Sequence, residues 1–95
     1  MSGVIEAAVA SLSGRFGNGF DGIAKFVITG EGAIMIDGAG VRAGDEAADV
    51  TMTADTEVFQ AILAGEMNPT MAFMTGKLSV EGNMGLAMQL GASLG

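Results

Sequence analysis

The stretch ADVTMTADTEVFQAILAGEMNPTMAFMTGKLSVEGNMGLAMQL, residues 48–90, decides how this chain folds. It opens with alternation over 48–54: Val50, Met52 and Ala54 fall on one side, Asp49, Thr51 and Thr53 on the other, the period of a strand with one buried and one wet face. Asp55 then stands as an N-cap before a short helix whose apolar face is Val58, Phe59, Ile62 and Leu63, and Gly65 is placed to end it. Asn68-Pro69 is again a cap followed by a first helical position, which predicts a second short helix over 70–75, stopped at Gly76. Residues 77–81 alternate once more, with Leu78 and Val80 inward. The remainder, 84–94, is helical in propensity but apolar on nearly every face, with Gln89 its only large polar side chain. Such a helix has two faces to hide, one on the sheet and one on another helix, a partner chain or a ligand.

Upstream, Val4, Ile5, Ala8, Val9 and Leu12 recur at helical spacing behind a Ser2 cap and predict an amphipathic helix over 3–14. GRFGNGFDG, residues 14–22, breaks it. Residues 23–29 read as a strand with Ala24, Phe26 and Ile28 inward and Lys25 outward, and Gly30-Glu31-Gly32 turns the chain into a second strand over 33–37, with Ile34 and Ile36 on one face. The short gap makes the pair an antiparallel hairpin. Four strands are legible in this way. GAGVRA, 38–43, matches the G-x-G-x-x-G/A nucleotide fingerprint literally, but that motif works only where it opens a helix inside a strand-helix-strand unit. A strand follows instead, so the segment reads as a loop. Asp45, Glu46 and Asp49 lack the spacing of a calcium loop.

Composition narrows the function. The 95 residues amount to a single small domain, 1–95, with one modest core, 49% hydrophobic but only 5% aromatic, so its bulk is aliphatic and methionine. His, Cys, Tyr and Trp are all absent, which removes the usual general base, the thiolate nucleophile and the common transition-metal ligands other than carboxylates. No metal, cofactor or disulfide framework is expected. Eleven acids against four bases give a net charge of −7, which speaks against nucleic acid and anionic membranes as partners. The acids are scattered and fit a solvated surface better than a catalytic pair. Glu6 sits where a signal peptide would be basic or apolar, and the weakly charged run 83–95 is too short to span a bilayer, so a soluble, cytoplasmic protein is expected. Five of the eight methionines, Met67, Met71, Met74, Met84 and Met88, fall close together, and methionine suits both irregular cores and surfaces that fit several apolar partners.

Residues 48–90 also resemble the sterol carrier protein family, the non-specific lipid-transfer domain. The family's Asn-Pro-x-x-Ala, Gly-Lys-Leu and Gly-Asn-x-x-x-Ala elements stand here at Asn68, Pro69, Ala72, Gly76, Lys77, Leu78, Gly82, Asn83 and Ala87, in the same order of strand, helices and strand. The resemblance implies an α/β (α+β) fold: a mostly antiparallel five-stranded sheet carrying helices on one face, with an apolar tunnel between the layers. It implies a non-catalytic domain without cofactors that takes a fatty acid, fatty acyl group, phospholipid or sterol-like ligand. Carried over position by position, the tunnel wall would draw on Ile34, Ile36, Val50, Met52, Leu78 and Val80 from the strands. The helices would add Phe59, Ile62, Leu63, Met71, Met74, Met84, Leu86, Met88 and Leu90. Asn68, Pro69, Gly76, Gly82 and Asn83 serve as caps and turns.

Departures from the family matter too. Many members are basic around the Gly-Lys-Leu strand and last helix, whereas Ser79, Glu81 and Gln89 intervene here and leave Lys77 alone. Membrane contact is therefore expected to be transient at most, and a CoA head group poorly held. The terminal Ser93-Leu94-Gly95 is no peroxisomal address, which points to a small bacterial-like member. A dry pocket of roughly 300 Å³ would cost on the order of 7 kcal/mol in a domain with only about 5–15 kcal/mol of stability. The protein is thus expected to be lipid-filled, partly collapsed, or a homodimer closed through its last helix. The rival reading is a scaffold or assembly domain whose apolar C-terminal helix binds a partner chain.

Overall fold

The computed structural model describes residues 3–17 and 19–94. Its elements run α1 (Gly3–Arg15), β1 (Ala24–Ile28), β2 (Gly32–Asp37), β3 (Gly40–Ala43), β4 (Val50–Ala54), α2 (Thr56–Leu63), α3 (Pro69–Met74), β5 (Ser79–Gly82) and α4 (Met84–Leu94). The expected Ser2 cap lies outside the described residues.

The five strands form one sheet in the order β3-β2-β1-β4-β5, antiparallel throughout except for the parallel β1–β4 pair. Residues 38–43, which read as a loop from sequence, contain the fifth strand of the described residues, β3. Gly40–Ala43 is only four residues long, and its alternation becomes visible only opposite β2, where Val41 pairs with Ile36 and Ala43 with Ile34. Asp37 makes the tight turn: its Oδ1 accepts the Ala39 N–H at 2.9 Å. The five-stranded, mostly antiparallel α+β fold implied by the resemblance is thus the one observed.

The register aligns the inward residues across the sheet. Ala24, Phe26 and Ile28 of β1 pair with Val50, Met52 and Ala54 of β4, and Ile34 and Ile36 stand opposite Phe26 and Ala24. All four helices cover this face, supplying Ile5, Ala8 and Leu12 from α1, Val58, Phe59 and Ile62 from α2, Ala72 from α3, and Ala87, Leu90 and Leu94 from α4 to one continuous core. Neither α2 nor α4 has a basic residue in its last turn. Arg15 of α1 provides that charge from outside, donating to the Leu94 carbonyl at 2.7 Å and to the Leu63 carbonyl at 2.5 Å, so one guanidinium satisfies the ends of two helices. Among the described residues no helix is long and apolar enough to cross a membrane.

The opposite face is crossed by residues 44–49, which carry the chain from the β3 edge back to β4. Beneath this crossover lies Met35, completely buried although it points away from the helices. Ion pairs hold the crossover down: Lys25 Nζ to Asp45 Oδ1 at 2.8 Å, and Arg42 to both Asp37 at 2.9 Å and Glu46 at 3.2 Å. The side-chain hydrogen bond from Arg42, then the Ala39 N–H, hold the Asp37 carboxyl below its ordinary value of 3.8. Because the folded-state pKa is depressed, this contribution to stability is present above the unfolded value and is lost as pH falls through the folded one. A carboxylate titration by NMR should show Asp37 with a midpoint below 3.8, returning toward it in Arg42→Ala.

Gly82 ends β5 at φ +99°, and a Cβ there would run into the Asp49 carbonyl. Replacing it with alanine adds both an unfavourable backbone conformation and a clash. Gly82→Ala should cost about 1–3 kcal/mol, read as a lowered urea midpoint with unchanged slope.

Candidate functional site

A cavity of about 480 Å³ lies between α3 and α4 over the β4–β5 edge of the sheet. Its floor is Met52 and Val80, cross-strand partners, with the buried Leu78 beside them. One wall is Asn68, Pro69, Thr70 and Phe73; the other is Met84, Ala87, Met88, Gly91 and Ala92. No lining side chain is titratable, and Asn68 and Thr70 are the only polar ones. The cavity is a groove open to solvent, since Phe73, Met84 and Met88 on its walls are all exposed.

Local sequence rules position each wall. Asn68 caps α3, its Oδ1 accepting the N–H groups of Thr70 at 2.8 Å and Met71 at 3.3 Å, with Pro69 at the first helical position. Gly76, at φ +79°, ends the helix, and the N–H groups of Lys77 and Leu78 both return to the Ala72 carbonyl, which turns Leu78 down onto the floor. Across the groove, Asn83 Oδ1 accepts the Leu86 N–H at 3.1 Å and starts α4. The two helices approach where α4 has no side chain: a Cβ at Gly91 would lie 3.7 Å from the Pro69 Cβ.

A second space of about 300 Å³ opens between α1 and α2, lined by Val4, Ala7, Ala8 and Ser11 on one side and Phe59, Gln60, Leu63 and Ala64 on the other. Phe59 of that lining meets the ring of Phe26, the strand partner of Met52, edge-on at 4.5 Å.

The residues expected from sequence fall into four places. Met52, Leu78, Val80, Met84 and Met88 come together on the groove. Ile34, Ile36, Val50, Ile62 and Leu90 are sealed in the core away from it; Leu86 is half-buried against that core, and Phe59 and Leu63 face the smaller space. Met71 and Met74 stand on the exposed side of α3, outside the lining.

Asn68, Pro69, Thr70, Phe73, Ala87, Gly91 and Ala92 line the groove without having been singled out for it. The signal for the last three lay in the helical period: 84, 87, 88, 91 and 92 share one face, but small residues there register as weak hydrophobicity although they create the space. On α3, six residues are too few to fix which side Phe73 takes.

A groove of this volume with an apolar wall has the dimensions of a small-ligand site. The chain belongs to the SCP-2 sterol transfer family, whose sequence model matches residues 6–95. It is 44% identical over 82 residues to hydroxysteroid dehydrogenase-like protein 2 of Xenopus laevis, an alignment covering 78% of this chain and 20% of that protein. The chain thus spans about a fifth of the length of that relative. Among solved structures it is similar to sterol carrier protein 2 like 2 of Aedes aegypti, with a TM-score of 0.79, 25% identity and 94% of each chain covered. Sterol carrier protein-2 of the same mosquito, solved in complex with palmitate, shares the fold with a TM-score of 0.79 at 23% identity, covering 99% of this chain and 96% of that one.

The Phe26–Phe59 ring pair is part of the core. Phe59→Ala should lower stability by about 3–5 kcal/mol, measured by urea unfolding.

Proposed function

We propose that this protein is a non-catalytic carrier that holds the apolar tail of a fatty acid, fatty acyl group or sterol-like molecule in the groove between α3 and α4. The observation that carries the reading is the groove itself: about 480 Å³, floored by Met52, Leu78 and Val80, walled by Met84 and Met88, with no ionisable group on its lining. Burying ten methylenes there would contribute about 8 kcal/mol, from which the cost of ordering the tail is subtracted. Methionine walls suit such cargo because their unbranched side chains re-pack around tails of different shape. Family membership and the palmitate complex of the A. aegypti protein support the same ligand class. Fused or separate delivery to an enzyme fits the hydroxysteroid dehydrogenase-like relatives, of which the matching segment is one part.

Gly91 provides the test. Leucine at that position would project into the groove beside Pro69 while improving helix propensity by about 1 kcal/mol. Gly91→Leu should therefore remain folded by circular dichroism yet take up cis-parinaric acid, a fluorescent fatty acid, at least about tenfold more weakly. Unchanged uptake would place the ligand elsewhere. Absence of any lipid in native mass spectra, together with no thermal shift on adding palmitate, would overturn the carrier reading.

A further inference from the structure

We infer that the methionine-rich rim of the groove is the face with which this protein docks on an uncharged, zwitterionic lipid bilayer; the inference rests on the carrier reading and identifies the partner of the same site. Among the described residues six large apolar side chains are exposed, and five of them, Met71, Phe73, Met74, Met84 and Met88, belong to α3 and α4. Met71, Met74 and Met88 are 57%, 72% and 74% exposed, well beyond what a wall for a bound tail requires. A cluster of this kind around a ligand groove marks an interaction surface.

Charge selects the partner. Neither α3 nor α4 carries an ionisable residue, so the rim itself is neutral in a protein of net charge −7. The chain has four cations in all. Arg15 is engaged by the Leu63 and Leu94 carbonyls, and Lys25 and Arg42 are paired with carboxylates on the far face of the sheet. Lys77, just past the end of α3, is the remaining cation, and in the sequence Glu66 precedes α3 and Glu81 follows Lys77. Anionic lipid would therefore repel this protein, whereas a zwitterionic surface leaves the apolar contact unopposed.

Continuity with the groove favours a bilayer over a second copy of the chain. Phe73, Met84 and Met88 belong to both the rim and the groove wall, so a tail leaving the groove would pass into the lipid phase along one apolar surface without crossing water. A second copy seated on the same rim would close that exit. Shallow insertion of flexible, neutral side chains gives the weak, reversible attachment that repeated loading demands.

Co-sedimentation with phosphatidylcholine vesicles tests the docking face, using wild type and the Met71→Asp, Met74→Asp double variant, whose altered residues lie outside the groove lining. Wild type should bind these vesicles, and bind more weakly when phosphatidylglycerol is added. The variant should lose at least about tenfold in vesicle affinity while taking up cis-parinaric acid in vesicle-free solution as wild type does. Wild type that takes up cis-parinaric acid but ignores phosphatidylcholine overturns the inference, as do stronger binding to phosphatidylglycerol and a variant that sediments like wild type. A wild-type dimer in analytical ultracentrifugation that the variant abolishes, without vesicle binding, assigns the rim to a second copy instead. If wild type takes up no cis-parinaric acid at all, the carrier reading fails and the docking inference falls with it.

Discussion

The parallel pairing of β1 with β4 is the constraint on which the rest of this molecule depends. Every other pair in the sheet is antiparallel; this one joins the β1–β2–β3 meander to the half of the chain that builds the groove. Asp49 secures it. Its N–H donates to the Ile23 carbonyl at 2.8 Å, its carboxylate accepts the Ile23 N–H at 3.2 Å, and its carbonyl accepts the Asn83 N–H at 2.9 Å. The start of β1, the start of β4 and the start of α4 therefore meet at one residue. Gly82 is needed there because no Cβ fits against the same carbonyl.

From that junction the groove follows as geometry. With β4 next to the edge strand β5, α3 and α4 lie over the β5 side of the sheet, and the close approach of Pro69 and Gly91 brings them together. Away from that point the helices are separated by flexible methionine and phenylalanine side chains that reach solvent as readily as they reach each other. The other half of the helical layer is different. There Leu12, Phe26, Phe59, Ile62 and Leu90 are fully or almost fully buried, and Arg15 binds α1 to the ends of α2 and α4. One small core is thus divided into a well-packed half that holds the fold and a loosely lined half that leaves the groove open.

Much of this was legible because it is local. The alternation of Val50, Met52 and Ala54, the caps at Asp55 and Asn68, and the stops at Gly65 and Gly76 each depend on residues a few positions apart, and each stands where the sequence pattern put it. Less was legible where a residue acts through a distant partner. Asp49 reads as one more surface acid, Met35 as an outward residue of a hairpin and Val41 as part of a loop, until the crossover of 44–49 and the β2–β3 register bring their neighbours to them.

All the elements but β3, most of their apolar faces, the lack of histidine and cysteine chemistry, and the family to which the chain belongs can be read from the order of residues. Periodicity and composition are properties of the chain and need no partner. Which of the greasy residues close a core and which surround an open space follows from packing in three dimensions: Leu90 is sealed, Met88 exposed, and Ala87, Gly91 and Ala92 make a wall by being small. Hydrophobicity records how strongly a side chain avoids water, whereas a cavity is made where packing leaves atoms out, and that depends on the distance between two helices fixed by contacts far along the chain.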